Sequence, residues 1–193
     1  MLGSLALGFA VSTILGSPSG CASAKQSLTP GDLAPEFLIS SIEGKRLSLK
    51  DLRGEGVVFL YFIKDGDSVN NDAMPYIHRL IRAYYPNEHA KFFGVINVDQ
   101  SRARAWNAEI NPPYKLLLDP RGDLIYKYKI ESSPAIVEID TEGKIVKEWQ
   151  GFSGYWLKDL NGFVSKATRK PLKQFDFSKT PSVTQFGRPY RGG

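Results

Sequence analysis

A chain of 193 residues with 42% hydrophobic and 23% charged side chains is long enough to bury one domain-sized core and too apolar for a disordered protein. The net charge of +5 is uneven: residues 168–193 hold Arg169, Lys170, Lys173, Lys179, Arg188 and Arg191 against Asp176 alone, so everything before them sums to zero. The body of the chain therefore has no net charge with which to steer an anionic partner.

Met1 to Ala24 contains no charged side chain, and its apolar middle, from Leu5 to Leu15, is broken by Gly8, Ser12 and Thr13. That run falls short of the roughly 20 apolar residues a spanning helix needs. It predicts a signal peptide or lipoprotein signal over residues 1–24 and an exported protein of the bacterial periplasm or envelope. Two processing outcomes stay open. Ala22-Ser23-Ala24 suits a signal peptidase and gives a mature chain starting at Lys25; Gly20-Cys21 resembles the end of a lipobox, which makes Cys21 a possible lipid anchor. Pro18 departs from that box, and no Lys or Arg precedes the apolar run. Either outcome removes Cys21, the only cysteine, from redox chemistry.

Residues 25–167 read as one domain. Phe37 to Ile39 and Arg46 to Leu49 flank a Glu43-Gly44 turn and predict a hairpin. Val57 to Ile63 is an unbroken apolar run, the pattern of a strand covered on both faces. After a polar stretch from Lys64 to Asn71, Ala73, Ile77, Leu80 and Tyr84 recur at helical spacing, and Lys91 to Val98 gives a second buried strand, so the three pieces form a right-handed parallel crossover. Ser101 is placed to cap a helix through Trp106 that stops at Asn111-Pro112-Pro113. Lys115 to Leu118 predicts a strand, and Leu124 to Ile130 an element of undetermined type. Ala135 to Ile139 and Lys144 to Trp149 predict a second hairpin, and Tyr155 to Lys166 a helix with Trp156, Leu157, Leu160, Phe163 and Val164 on one face. Residues 168–193 hold three prolines and three glycines without periodicity, which predicts an extended or disordered basic tail.

This order, together with Gly31-Asp32-x-Ala34-Pro35-x-Phe37, the Gly44 to Gly54 run, Leu118-Asp119-Pro120-x-Gly122, Ser133-Pro134-Ala135 and Ile139-Asp140-x-x-Gly143-Lys144, resembles the thioredoxin superfamily. The likeness is to its branch of TlpA-like thiol-disulfide oxidoreductases and AhpC/TSA redoxins. It implies an α/β thioredoxin-like fold, a central mixed sheet flanked by helices with an N-terminal β-hairpin extension. It also implies a cis bond at Ser133-Pro134, facing the redox loop. In a TlpA-like register the C-x-x-C positions fall on Asp67-Ser68-Val69-Asn70; a peroxiredoxin register puts the reactive position on Asn71. Neither alignment supplies a thiolate, the nucleophile of both chemistries.

No residue is thus assigned as catalytic. Asp67, Ser68 or Asn70 suits a helix cap. His78 and His89 lack metal-ligand spacing and read as solvated or partly packed, and no nucleotide-binding or hydrolase motif is present, so no metal and no cofactor is expected. The leading expectation is a non-catalytic module that binds an extracytoplasmic protein or peptide segment near Asp67–Asn71 and Pro134. Its alternatives are thiol-disulfide or peroxide chemistry as in the family, through a retained Cys21, and an envelope-associated protein whose basic tail meets an anionic membrane surface. Export disfavours nucleic acid as a partner.

Overall fold

The structure, a computed structural model, describes residues 28–54 and 56–190. The proposed signal segment and Cys21 lie outside the described residues. Strands β1 (Leu38–Ser41), β2 (Arg46–Ser48), β3 (Val57–Ile63), β4 (Ala90–Ile96), β5 (Lys115–Leu118), β6 (Ala135–Ile139) and β7 (Ile145–Gln150) form one sheet in the order β2-β1-β5-β4-β3-β6-β7. Helices α1 (Leu49–Arg53), α2 (Ser68–Tyr84), α3 (Gln100–Ile110), α4 (Asp123–Lys127) and α5 (Gly154–Thr168) flank it.

The apolar run of β3 explains its interior place. It pairs parallel with β4 and antiparallel with β6, and its side chains alternate between two cores. Phe59, Tyr61 and Ile63 join α2 and α5 on one face; Val58, Leu60 and Phe62 join α1 and α4 on the other. Burying each such side chain contributes about 1.5–3 kcal/mol, so a strand with six buried residues anchors the fold. The parallel β3-α2-β4 unit and both hairpins agree with the sequence patterns, and β1 also pairs antiparallel with β5, which ties the N-terminal hairpin into the main sheet.

Three expectations change. Leu49 does not extend β2 but begins α1, because Ser48 and Asp51 form a reciprocal capping box. Asp99, not Ser101, caps α3 by accepting from the Arg102 N–H at 2.9 Å. The undetermined element after Gly122 is α4, held by the buried Asp119 carboxylate, which accepts from the Leu124 and Ile125 N–H groups.

The largest change concerns the segment after α5. Through Tyr190 it has no helix or ladder of its own, yet it is not disordered: it lies as an extended strap against the domain. Phe177 is buried beside Tyr76 and Phe152. Asn161 and Tyr84 fix the backbone of Lys173, and Phe152 and Gln185 exchange backbone hydrogen bonds at 2.7 and 2.9 Å. Its order comes from contacts distant in sequence, which local composition does not report.

Candidate functional site

The polar loop after β3 leads into α2 at Asp67, whose extended backbone and side chain cap the helix by accepting from the Asn70 N–H at 3.0 Å. The loop from α4 to β6 brings Ser133 and Pro134 to the same place, and the Ser133-Pro134 bond is cis, as the resemblance implies. Asn70 is fully buried; its Oδ1 accepts from Tyr61 Oη and from Ser133 Oγ, both at 2.9 Å. Ser133 Oγ in turn accepts from the Lys64 N–H at 3.2 Å. Asp67 and Asn70, the positions that the resemblance aligns with C-x-x-C, therefore belong to one hydrogen-bonded cluster around the cis proline. Burial holds the Tyr61 hydroxyl well above its ordinary pKa, so it stays a neutral donor.

Of the other residues singled out from the sequence, Ser68 is exposed in the first turn and Val69 packs against the core. Asn71 is exposed on α2 and its N–H continues the helix to the Asp67 carbonyl, so the peroxiredoxin register points away from the cluster. His78, read from sequence as solvated or partly packed, is packed throughout: it is buried at 4% exposure, shares a 2.8 Å hydrogen bond with Tyr114 Oη, and burial with Arg82 nearby lowers its pKa to about 4. His89 sits in the β4 entry beside Glu88. Among the described residues no group of three or more His, Cys, Asp or Glu side chains is placed to hold a metal ion.

The strap crosses this cluster. The Gly187 N–H donates to the Ser133 carbonyl at 2.8 Å, the Arg188 N–H to Asp67 Oδ2 at 2.8 Å, and the Tyr190 N–H to the Glu131 carbonyl at 2.9 Å. Pro189 and Ser132 form an antiparallel bridge. Lys64 Nζ donates to the Pro189 and Arg188 carbonyls and lies 5.5 Å from the Tyr190 ring centroid. The Tyr190 hydroxyl is buried against Ser133 without hydrogen-bond geometry, and burial raises its pKa. Lys64, Gly187, Arg188 and Tyr190 escape sequence reasoning, because nothing local marks two segments more than 120 residues apart as neighbours.

Asp67 is buried at 1% exposure with one oxygen committed to Asn70 and the other to Arg188. Asn70 is an amide. No described residue is a cysteine.

Comparison with known proteins agrees with the scaffold. The thiol-disulfide oxidoreductase ResA of Bacillus cereus (strain ATCC 10987 / NRS 248) is 28% identical over 136 residues, covering 68% of this chain and 76% of that protein. ResA of Bacillus subtilis (strain 168) is 30% identical over 129 residues, covering 64% and 68%. Among solved structures, the thioredoxin domain of a thiol-disulfide oxidoreductase from Bacteroides vulgatus superposes with a TM-score of 0.60 at 25% identity, over 72% of this chain and 99% of that one. A thiol:disulfide interchange protein from Bacteroides sp. superposes at 0.62 and 24% identity, over 75% and 93%, a likeness of fold. The fold is thioredoxin-like. The AhpC/TSA family model matches residues 30–148, a stretch that contains no cysteine, and the chain belongs to that family.

Proposed function

We propose that this protein is a redox-inactive member of its family that works outside the cytoplasm by binding an extended polypeptide segment. One observation carries the reading. The face made by Ser132, Ser133 and Asp67 pairs with the backbone of an extended segment, residues 187–190 of the same chain, while holding no thiolate. Disulfide exchange requires a thiolate to attack a disulfide sulfur, and an aspartate and an asparagine at the two positions cannot form the mixed disulfide. Strand-like pairing needs only backbone groups and a shaped surface, so it survives the loss of sulfur. Export rests on the charge-free residues 1–24 and on the thiol-disulfide proteins among the relatives.

The test is turnover. Purified protein starting at Lys25 is expected to leave insulin reduction by dithiothreitol and hydrogen peroxide consumption at their uncatalysed rates. Acceleration of either reaction contradicts the proposal. Mass spectrometry of the mature N-terminus, from cells that make the full chain, is expected to find the first 20 or 24 residues removed, and an intact Met1 terminus contradicts export.

A further inference from the structure

The strap reports what the site accepts, in chemistry that the loss of two cysteines alone does not specify. Gly187 lies where the strap passes close against the domain: a Cβ there would overlap Asp67 Oδ1 and the Ser133 carbonyl oxygen. Both obstacles belong to the cluster itself: the Ser133 oxygen is backbone, and the Asp67 carboxylate is buried and held by the Asn70 and Arg188 N–H groups. At this position the surface rejects every residue except glycine. The next residue puts its N–H on the buried Asp67 carboxylate, its guanidinium Nη2 on the Gly66 carbonyl at 3.0 Å, and its Nε 3.7 Å from Asp67 Oδ2. A cationic side chain there offsets the only buried carboxylate of the loop, and an acidic one would repel it. Pro189 has no N–H and uses only its carbonyl, which Lys64 takes, and the aromatic ring at position 190 lies under the same ammonium.

A second observation, independent of the loop, shows a surface fitted to the strap. Gly151, at the end of β7, faces the strap so closely that a Cβ would overlap Thr184 Cγ2 and the Gln185 carbonyl oxygen. The domain and the strap each lack a side chain where the two backbones meet.

We propose that the site selects an extended segment with the pattern glycine, basic residue, proline, aromatic residue. In this proposal the chain's own Gly187-Arg188-Pro189-Tyr190 is its resident occupant, and a partner protein presenting a segment of the same chemistry displaces it. This rests on the binding-module reading and supplies its ligand class. Asp67, at one of the former cysteine positions, becomes the specificity determinant. The strap becomes a competitor that holds the site closed until a partner segment outcompetes it.

The experiment uses a chain ending at Val183, which keeps the buried Phe177, and a blocked peptide spanning Thr184 to Tyr190. By fluorescence anisotropy or calorimetry, the shortened chain is expected to bind the peptide at least tenfold more tightly than the intact chain does. The peptide carrying Gly187→Ala is expected to lose at least tenfold in affinity, and so is the peptide carrying Arg188→Glu. The shortened chain carrying Asp67→Ala is expected to lose the distinction between the wild-type peptide and the peptide carrying Arg188→Glu. Equal affinity for the wild-type peptide and the peptide carrying Gly187→Ala overturns the proposal and leaves the binding-module reading standing, whereas accelerated insulin reduction overturns that reading. Absence of any peptide binding to a shortened chain whose circular dichroism and thermal transition match the parent also overturns the proposal. Should the shortened chain fail to fold, the intact chain carrying Gly187→Ala decides the matter. It is expected to gain affinity for the wild-type peptide, and an unchanged affinity overturns the proposal.

Discussion

Two buried titratable side chains, Glu138 and His78, set opposing pH dependences at the residue scale. Glu138 on β6 is 5% exposed with Oε2 unpaired, and burial, reinforced by Asp140 against the pull of Lys166 and Lys147, raises its pKa from 4.5 to about 7. The folded chain then keeps a proton that the unfolded chain releases, so stability is fullest below pH 4.5 and is lost as pH climbs towards 7. His78 runs the other way. Its pKa falls from 6.5 to about 4, so the unfolded chain takes up the proton first, and stability is full above pH 6.5 and is lost as pH falls towards 4. Between pH 4.5 and 6.5 the two slopes offset each other. Urea unfolding across this range is expected to show Glu138→Gln gaining on the parent as pH rises, by on the order of 2 kcal/mol at neutral pH. For His78→Gln the deficit relative to the parent is expected to narrow as pH drops. Parallel profiles for parent and variant would contradict either assignment.

The same scale shows why the site is only half legible in sequence. Asp67 and Asn70 stand out because the sequence resemblance aligns them with the C-x-x-C positions of a TlpA-like loop. Their roles depend on Tyr61, nine residues before Asn70, and Ser133, 63 residues after it. A helix-cap reading of Asp67 is correct as far as it goes, but the second carboxylate oxygen is taken by Arg188, 121 residues away. His78 reads as a polar residue within an amphipathic helix; its burial follows from Tyr114, which arrives from the β5 side of the sheet.

At the scale of elements, legibility follows the reach of the interactions that make each one. β3 and β4 are apolar for most of their length because helices cover both faces, and that burial is written into consecutive residues. α2 keeps its periodicity through Pro75, since its apolar stripe outweighs one missing hydrogen bond. α1, with five residues, is too short for a periodic signal, and only its capping box identifies it. The strap has no periodic signal because its hydrogen bonds go to other elements. Phe177 is its principal apolar anchor, stacked with Phe175 and set beside Tyr76. Phe177→Ala is expected to lower unfolding stability by about 2–4 kcal/mol and to open the bond between Gly154 and Pro181, next along the strap. Urea titration and limited proteolysis measure the two effects. An unchanged midpoint with an uncut strap would contradict the anchoring role.

On the scale of the whole molecule, a neutral body carries a basic strap, and the charge asymmetry is not what holds them together. Lys170 donates to the Tyr84 and Pro86 carbonyls and Arg188 to the Gly66 carbonyl, so these cations bond backbone oxygens; the close acidic partner of Arg188 is Asp67. Backbone pairing and aromatic burial carry the docking, and both are little affected by salt. In the proposed reading, a redox-protein scaffold without cysteine in its domain holds a polypeptide site filled from within. Native-state hydrogen exchange on the intact chain, read residue by residue, tests that union most directly. The amides of Gly187, Arg188 and Tyr190, bonded to Ser133, Asp67 and Glu131, are expected to exchange at least about tenfold more slowly than in the free peptide. Exchange at the free-peptide rate at these three positions would contradict the account.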